Sequence, residues 1–214
     1  MKADRTKIEK KARNRKMEEK LEAQLRELAG MIDHTILKPD ATKQKVLEVC
    51  QECRDYHFKM IAINSCQVTL CHHALKGSGV HVGAAISFPL GQTELNIKLL
   101  ETEHAIRQGA DEIDYVVNLT ELKSGNWDLV RKEMDRITRL CHQYGKICKV
   151  IFETCYLSEE EIIRLAQIAR EVKPDFIKTS TGFGPAGATA KDVFIMKHEA
   201  GEAVQVKAAG GILS

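Results

Sequence analysis

Short apolar runs alternate with longer amphipathic stretches from Met31 onward, and this rhythm constrains the fold more than any other feature of the chain. It is the sequence form of repeated βα units around a parallel sheet. Strands are expected to begin near Met31, Lys59, Val80, Glu112, Ile147, Asp175 and Val204. Helices are expected over about 42–56, 65–76, 93–108, 126–144, 158–172 and 189–200. Asp40 or Thr42 can cap the first helix, Ser158 with Glu161 forms a capping box, and Thr189 can cap the last. Gly109, Gly145 and Gly201 stand where helices should stop. The mean step between strands is about 29 residues, which suits a (β/α)8 barrel of the TIM type. At that step an eighth strand would begin near residue 233, so the sequence is expected to form a TIM barrel lacking its eighth βα unit. Periodicity alone also fits an open doubly wound sheet.

Charge placement favours closure. Strand residues alternate between barrel interior and helix-facing shell, and catalytic groups come from the C-terminal ends of several strands. A period of two through Asp175-Phe176-Ile177-Lys178 turns Phe176 and Lys178 inward. The same period places Asp114 inside on strand four, Lys149 and Glu153 on strand five and Lys207 on strand seven, with Asp33 a candidate on strand one. Three lysines and three acids would then converge on one mouth. An interior serving packing alone would carry Val, Leu and Ile, because burying six ions is costly. A satisfied salt-bridge network is the plain alternative for any one of them.

A lysine attacks a carbonyl only as the neutral amine, and at an ordinary pKa of about 10.4 roughly 0.04% is neutral at pH 7. A second ammonium on the adjacent strand is the expected remedy, which makes Lys178 the candidate nucleophile and Lys207 its neighbour. After Lys178 run Thr179-Ser180-Thr181-Gly182 and then Gly184, Pro185 and Gly187, and after strand seven come Gly210 and Gly211. Hydroxyls and exposed amides at glycine turns suit phosphate oxygens, in the part of a barrel where phosphate is commonly bound.

Composition narrows the class. With 43% hydrophobic and 29% charged residues the chain can bury a proper core. The first thirty residues hold ten Lys/Arg against six Asp/Glu, so the rest, with twenty-two against twenty-four, has no basic surplus for nucleic acid. No apolar run reaches the length of a membrane helix, and an odd number of cysteines, seven, argues for reduced thiols, so a cytoplasmic setting is expected. Cys50 and Cys53 share a helical face with Val46 and Val49, which points to core. Cys66, Cys71, His72 and His73 also lie in a helical pattern without a second ligand pair, so no metal is expected there. Residues 1–29 form a charged helical extension with Ile8, Ala12, Met17, Leu21, Leu25 and Leu28 on one face, suited to docking on the 30–214 barrel or on a subunit partner.

Five segments carry a family resemblance: Ile32 to Pro39, Ser87 to Gly91, Ala110 to Asp114, Lys149 to Thr154, and Asp175 to Gly182. In order and spacing, with a second lysine ahead of a glycine pair, they resemble the deoxyribose-phosphate aldolase family over about residues 31–212. The resemblance implies a class I aldolase that reversibly splits 2-deoxy-D-ribose 5-phosphate into acetaldehyde and glyceraldehyde 3-phosphate without metal or cofactor. It implies Lys178 as the Schiff-base lysine, Asp114 as a proton-transfer residue acting through water, and Lys207 as its partner in the relay. It further implies Thr179, Gly182, Gly210 and Gly211 around the phosphate and Asp33 with Thr35 near the sugar hydroxyls; the mouth residues Lys149 and Glu153 are expected to join Asp33 and Thr35 in binding substrate. Its partners would be a small phosphorylated sugar and acetaldehyde; a homo-oligomer stays open, since the oligomeric state is not readable from the sequence. Ala62 departs from a frequent cysteine, Ser65 from a common proline and Leu213 from a frequent arginine. Two other readings stay open: a Schiff-base aldolase for another phosphosugar, and a catalytically impaired barrel acting as an interaction module.

Overall fold

Each strand of the computed structural model pairs in parallel with the one before it, giving a single sheet in the order β1-β2-β3-β4-β5-β6-β7. The strands are β1 Asp33–Ile36, β2 Met60–Asn64, β3 His81–Ile86, β4 Glu112–Val116, β5 Ile147–Ile151, β6 Phe176–Lys178 and β7 Gln205–Lys207. Between them lie α2 Lys43–Tyr56, α3 Val68–Ala74, α4 Leu95–Arg107, α5 Leu119–Lys123, α6 Trp127–Gln143, α7 Glu159–Val172 and α8 Ala190–Ala200, with α1 Lys2–Ala29 ahead of β1. The structure describes residues 2–212 and side chains from Asn14 onward; Leu213, and the facing of Ile8 and Ala12, fall outside this range. Every expected strand is present within two residues of its expected start. The helix expected over 65–76 is a 3-10 turn, Ser65–Gln67, followed by the shorter α3, and α5 is an addition.

The sheet curls, because side chains of its first and last strands meet: Lys207 Nζ lies 2.9 Å from Asp33 Oδ2 and donates to the Met31 carbonyl at 3.2 Å. Curling gives the strands an outer and an inner face with different chemistry. Outward go Ile61, Ile63, Val82, Ile86, Ile113, Tyr115, Val150 and Ile177, all buried in one core with helix residues such as Val49, Met134, Ile137 and Leu165. Full burial of each such side chain contributes about 1.5–3 kcal/mol, so this shell rather than the interior holds the fold. Inward go the small residues Ala62, Gly83 and Ala85 of β2 and β3 and the charged residues of β4 to β7. Gly83 is small for a local reason, since a Cβ there would collide with the sulfur of Met60.

The helix starts follow their capping residues. Thr42 accepts from Lys45 N, Thr189 accepts from Asp192 N, and Ser158 with Glu161 forms the reciprocal box. Cys50, Cys53 and Cys71 are buried in the core, and no group of three metal-ligating side chains occurs among the described residues. No described helix is long and apolar enough to cross a membrane. On α1, Met17, Leu21, Leu25 and Leu28 stay exposed, so the rest of the described chain does not cover that face.

Candidate active site

Register assembles the site. Asp114 of β4 is the partner of Lys149 on β5, and Lys178 at the end of β6 is the partner of Lys207 on β7. Lys178 Nζ donates to Asp114 Oδ2 at 2.7 Å, while Lys149 Nζ donates to Asp114 Oδ1 at 3.1 Å. Both carboxylate oxygens of Asp114 are thus held by ammonium groups, and all three side chains are almost wholly buried. Burial alone would push the Asp114 carboxyl up; Lys149 and Lys178 outweigh it and hold the group at about 2. Burial likewise opposes the charge of Lys149, yet Asp114, Glu112 and Asp33 together raise it above the ordinary lysine range. Charges this deep persist only when paired and hydrogen-bonded, as these are.

Lys207 stands next to Lys178 in the sheet, and its amine is engaged by Asp33 and the Met31 carbonyl. Thr35, two residues along β1 from Asp33, is exposed and donates to the Asp33 carbonyl at 3.0 Å.

The loops after β6 and β7 lock together. The buried Thr179 hydroxyl donates to the Ala209 carbonyl at 3.1 Å and accepts from the Ala209 amide at 3.0 Å. Gly182, Gly210 and Gly211 all have left-handed backbones, with φ of 86, 80 and 74°. At Gly210 a Cβ would stand 3.0 Å from the Gly187 Cα, a backbone approach that only glycine permits comfortably. Among the described residues the amides of Gly182, Gly210 and Gly211 donate to no backbone acceptor. Phe183 packs edge to face on Phe88 at 5.3 Å, so the loop carrying Gly182 also touches the one after β3.

Glu153 has a different setting from the lysine cluster. It lies beyond the end of β5 with φ of 56°, and its carboxylate accepts from the Thr181 amide at 3.1 Å and from the Thr181 hydroxyl. It ties the β6 loop to the end of β5. Its place in the charge balance is taken by Glu112, which sequence reasoning missed. Glu112 pairs with Lys149 and contacts His81 Nδ1 at 2.6 Å. The signal was available: the period of two that turns Asp114 inward turns Glu112 inward as well.

Lys149 is enclosed. Its amine contacts Glu112, Asp114 and, at 3.4 Å, the sulfur of Met60, with Asp33 at 3.9 Å. The arrangement brings Asp33, Glu112 and Asp114 together with Lys149, Lys178 and Lys207. It offers an amine for carbonyl addition, a carboxylate beside it and a glycine cradle above.

The sequence profile of the DeoC/LacD family aldolases matches residues 28–214. A deoxyribose-phosphate aldolase of Lactobacillus acidophilus is 52% identical over 188 residues, spanning 88% of this chain and 79% of that protein. One from Thermococcus gammatolerans is 44% identical over 87% of this chain and 84% of its own length. Among solved structures, the aldolase QR15 superposes with a TM-score of 0.81 at 37% identity, covering 86% of this chain and 81% of that one. The tetrameric deoxyribose phosphate aldolase of Aeropyrum pernix gives 0.80 at 32% identity, over 87% and 79% of the two chains. With its profile match running from before β1 through β7, the chain belongs to the DeoC/LacD aldolase family.

Proposed function

We propose that the chain is a deoxyribose-phosphate aldolase that cleaves 2-deoxy-D-ribose 5-phosphate reversibly to acetaldehyde and D-glyceraldehyde 3-phosphate through a Schiff base on Lys178. The observation that carries this reading is the buried Lys178 amine, 2.7 Å from the Asp114 carboxylate at the C-terminal end of β6. In the neutral state that amine adds to C1 of the open-chain sugar, and loss of water leaves an iminium. A base takes the proton of the C3 hydroxyl, the C2–C3 bond breaks, and its electron pair flows into the iminium to give an enamine. Protonation of the enamine at C2 and hydrolysis release acetaldehyde and restore the lysine. The iminium is itself the electron sink, so the scheme uses no metal.

In this reading Asp114 moves the protons through water, and Lys207, on the adjacent strand and bound to Asp33, completes the relay. Asp33 and Thr35 meet the sugar hydroxyls, Lys149 holds Asp114, and Glu153 fixes the loop after Lys178. The amides of Gly182, Gly210 and Gly211 receive the phosphate, with Thr179 holding the two loops in register. Residues 1–29 form an extension outside the barrel, and the exposed stripe of α1 supports contact with another copy in a homo-oligomer. Seven free cysteines support a cytoplasmic setting. Incubating purified protein with deoxyribose 5-phosphate and, separately, with fructose phosphates tests the substrate. Cleavage of the deoxy sugar alone is the expected result; preference for a ketose phosphate contradicts it.

A further inference from the structure

We propose that Glu112 and His81, below the reacting groups, are positioning residues for this reaction: they set how Lys149 divides itself between Glu112 and Asp114, and so the charge that Asp114 presents to Lys178. The inference rests on the aldolase reading and adds a layer to it.

A continuous polar chain crosses the barrel. It starts at His81, the first residue of β3, whose side chain is one-third exposed at the N-terminal rim. His81 Nδ1 meets Glu112 Oε1 at 2.6 Å, and Glu112 Oε2 binds Lys149 Nζ. Lys149 Nζ reaches Asp114 Oδ1 at 3.1 Å, and Asp114 Oδ2 receives Lys178 Nζ at 2.7 Å. The charged groups around this chain are few. Asp114 faces Lys149 and Lys178, Glu112 faces Lys149 and His81, and Lys149 faces Asp33, which also holds Lys207. The facing positions of β2 and β3, Ala62, Gly83 and Ala85, carry no charge.

Lys149 can neither leave this cage nor gain a water shell, because its side chain is only 3% exposed and Met60 closes one side. It therefore acts as a distributor. A stronger hold by Glu112 weakens its hold on Asp114, and the converse. The His81 contact to the other oxygen of Glu112 moderates that competition from outside the site.

Two substitutions displace the balance in opposite directions. In Glu112→Gln the competing charge is gone, so Lys149 turns to Asp114 and favours its carboxylate form. In His81→Leu the Glu112 carboxylate loses its second partner, draws Lys149 toward itself and leaves Asp114 less supported. Carboxyl-carbon NMR of the intact protein follows Asp114 as the pH is lowered. The Glu112→Gln titration should move to lower pH and the His81→Leu titration to higher pH, each by roughly half a unit or more. With Asp114 a weaker base, kcat of Glu112→Gln should fall roughly tenfold while KM stays within about twofold. Should Glu112→Gln fail to fold, the rim variant His81→Leu carries the comparison. Unchanged Asp114 titrations in the folded variants overturn the inference and leave the aldolase reading standing. A wild-type protein that forms no adduct with acetaldehyde at Lys178 overturns that reading, and the positioning role of Glu112 and His81 with it.

Discussion

Asp114 holds both a catalytic expectation and a stability consequence, because two ammonium groups share its two oxygens. Its carboxyl titrates at about 2 in the folded chain against an ordinary 3.8, so the folded state favours the ionised form. A depressed carboxyl contributes stability that is fully present above the unfolded value and is lost as the pH falls through the folded one. For Asp114 the window runs from about pH 5 down to about 2, and the shift corresponds to about 2 kcal/mol. Urea unfolding at pH 5 and pH 3 should show a steeper loss in wild type than in Asp114→Asn. Turnover of that variant should fall by about 10²–10⁴-fold, since its amide cannot take a proton. The inward facing of Asp114, Lys149, Lys178 and Lys207 was legible from alternation alone. The pairing was not, because which carboxylate meets which amine depends on register between strands far apart in sequence. Glu112 was passed over although the same alternation turns it inward, and Glu153 was grouped with the lysines because the period was carried past the end of β5, where the backbone turns left-handed.

The packing of α4 and α6 on β4 turns on one buried ion pair that hydrophobic patterning does not reveal. Lys98 Nζ lies 2.9 Å from Glu133 Oε2 and donates to the Val116 carbonyl at 2.8 Å, while Glu133 Oε1 accepts from the Asn118 amide at 3.0 Å. Both groups are removed from water, and burial pushes Lys98 down and Glu133 up, each toward its neutral form. Removing one partner strands the other, so Lys98→Met should cost about 3–5 kcal/mol in denaturant unfolding. Adding Glu133→Met to it should recover most of that loss, and a double variant as unstable as the single one would contradict the account. Elements of this length were readable from their period, with starts sharpest where a cap announced them, as at Thr42, Ser158 and Thr189. The five-residue α5 was not, because a single turn beyond β4 is too short to show a period.

The whole molecule is a sheet curled far enough for its outer strands to join through Asp33 and Lys207, with α1 standing outside the core. The curl followed from the spacing of the βα units and from inward charges on nonadjacent strands. The destination of α1 did not, since an apolar stripe states that a partner is needed without saying which. Light scattering should show association that weakens when Leu21 and Leu25 are both changed to Glu, with acetaldehyde capture on Lys178 retained; an unchanged mass would place the contact elsewhere.

The central claim is that one buried amine among three lysines does the chemistry. Protein incubated with acetaldehyde and borohydride, digested and mapped by mass spectrometry, tests it directly. The account predicts the mass of a single ethyl group on Lys178, absent from Lys178→Met. An unmodified Lys178, or an adduct confined to Lys149 or Lys207, would contradict it.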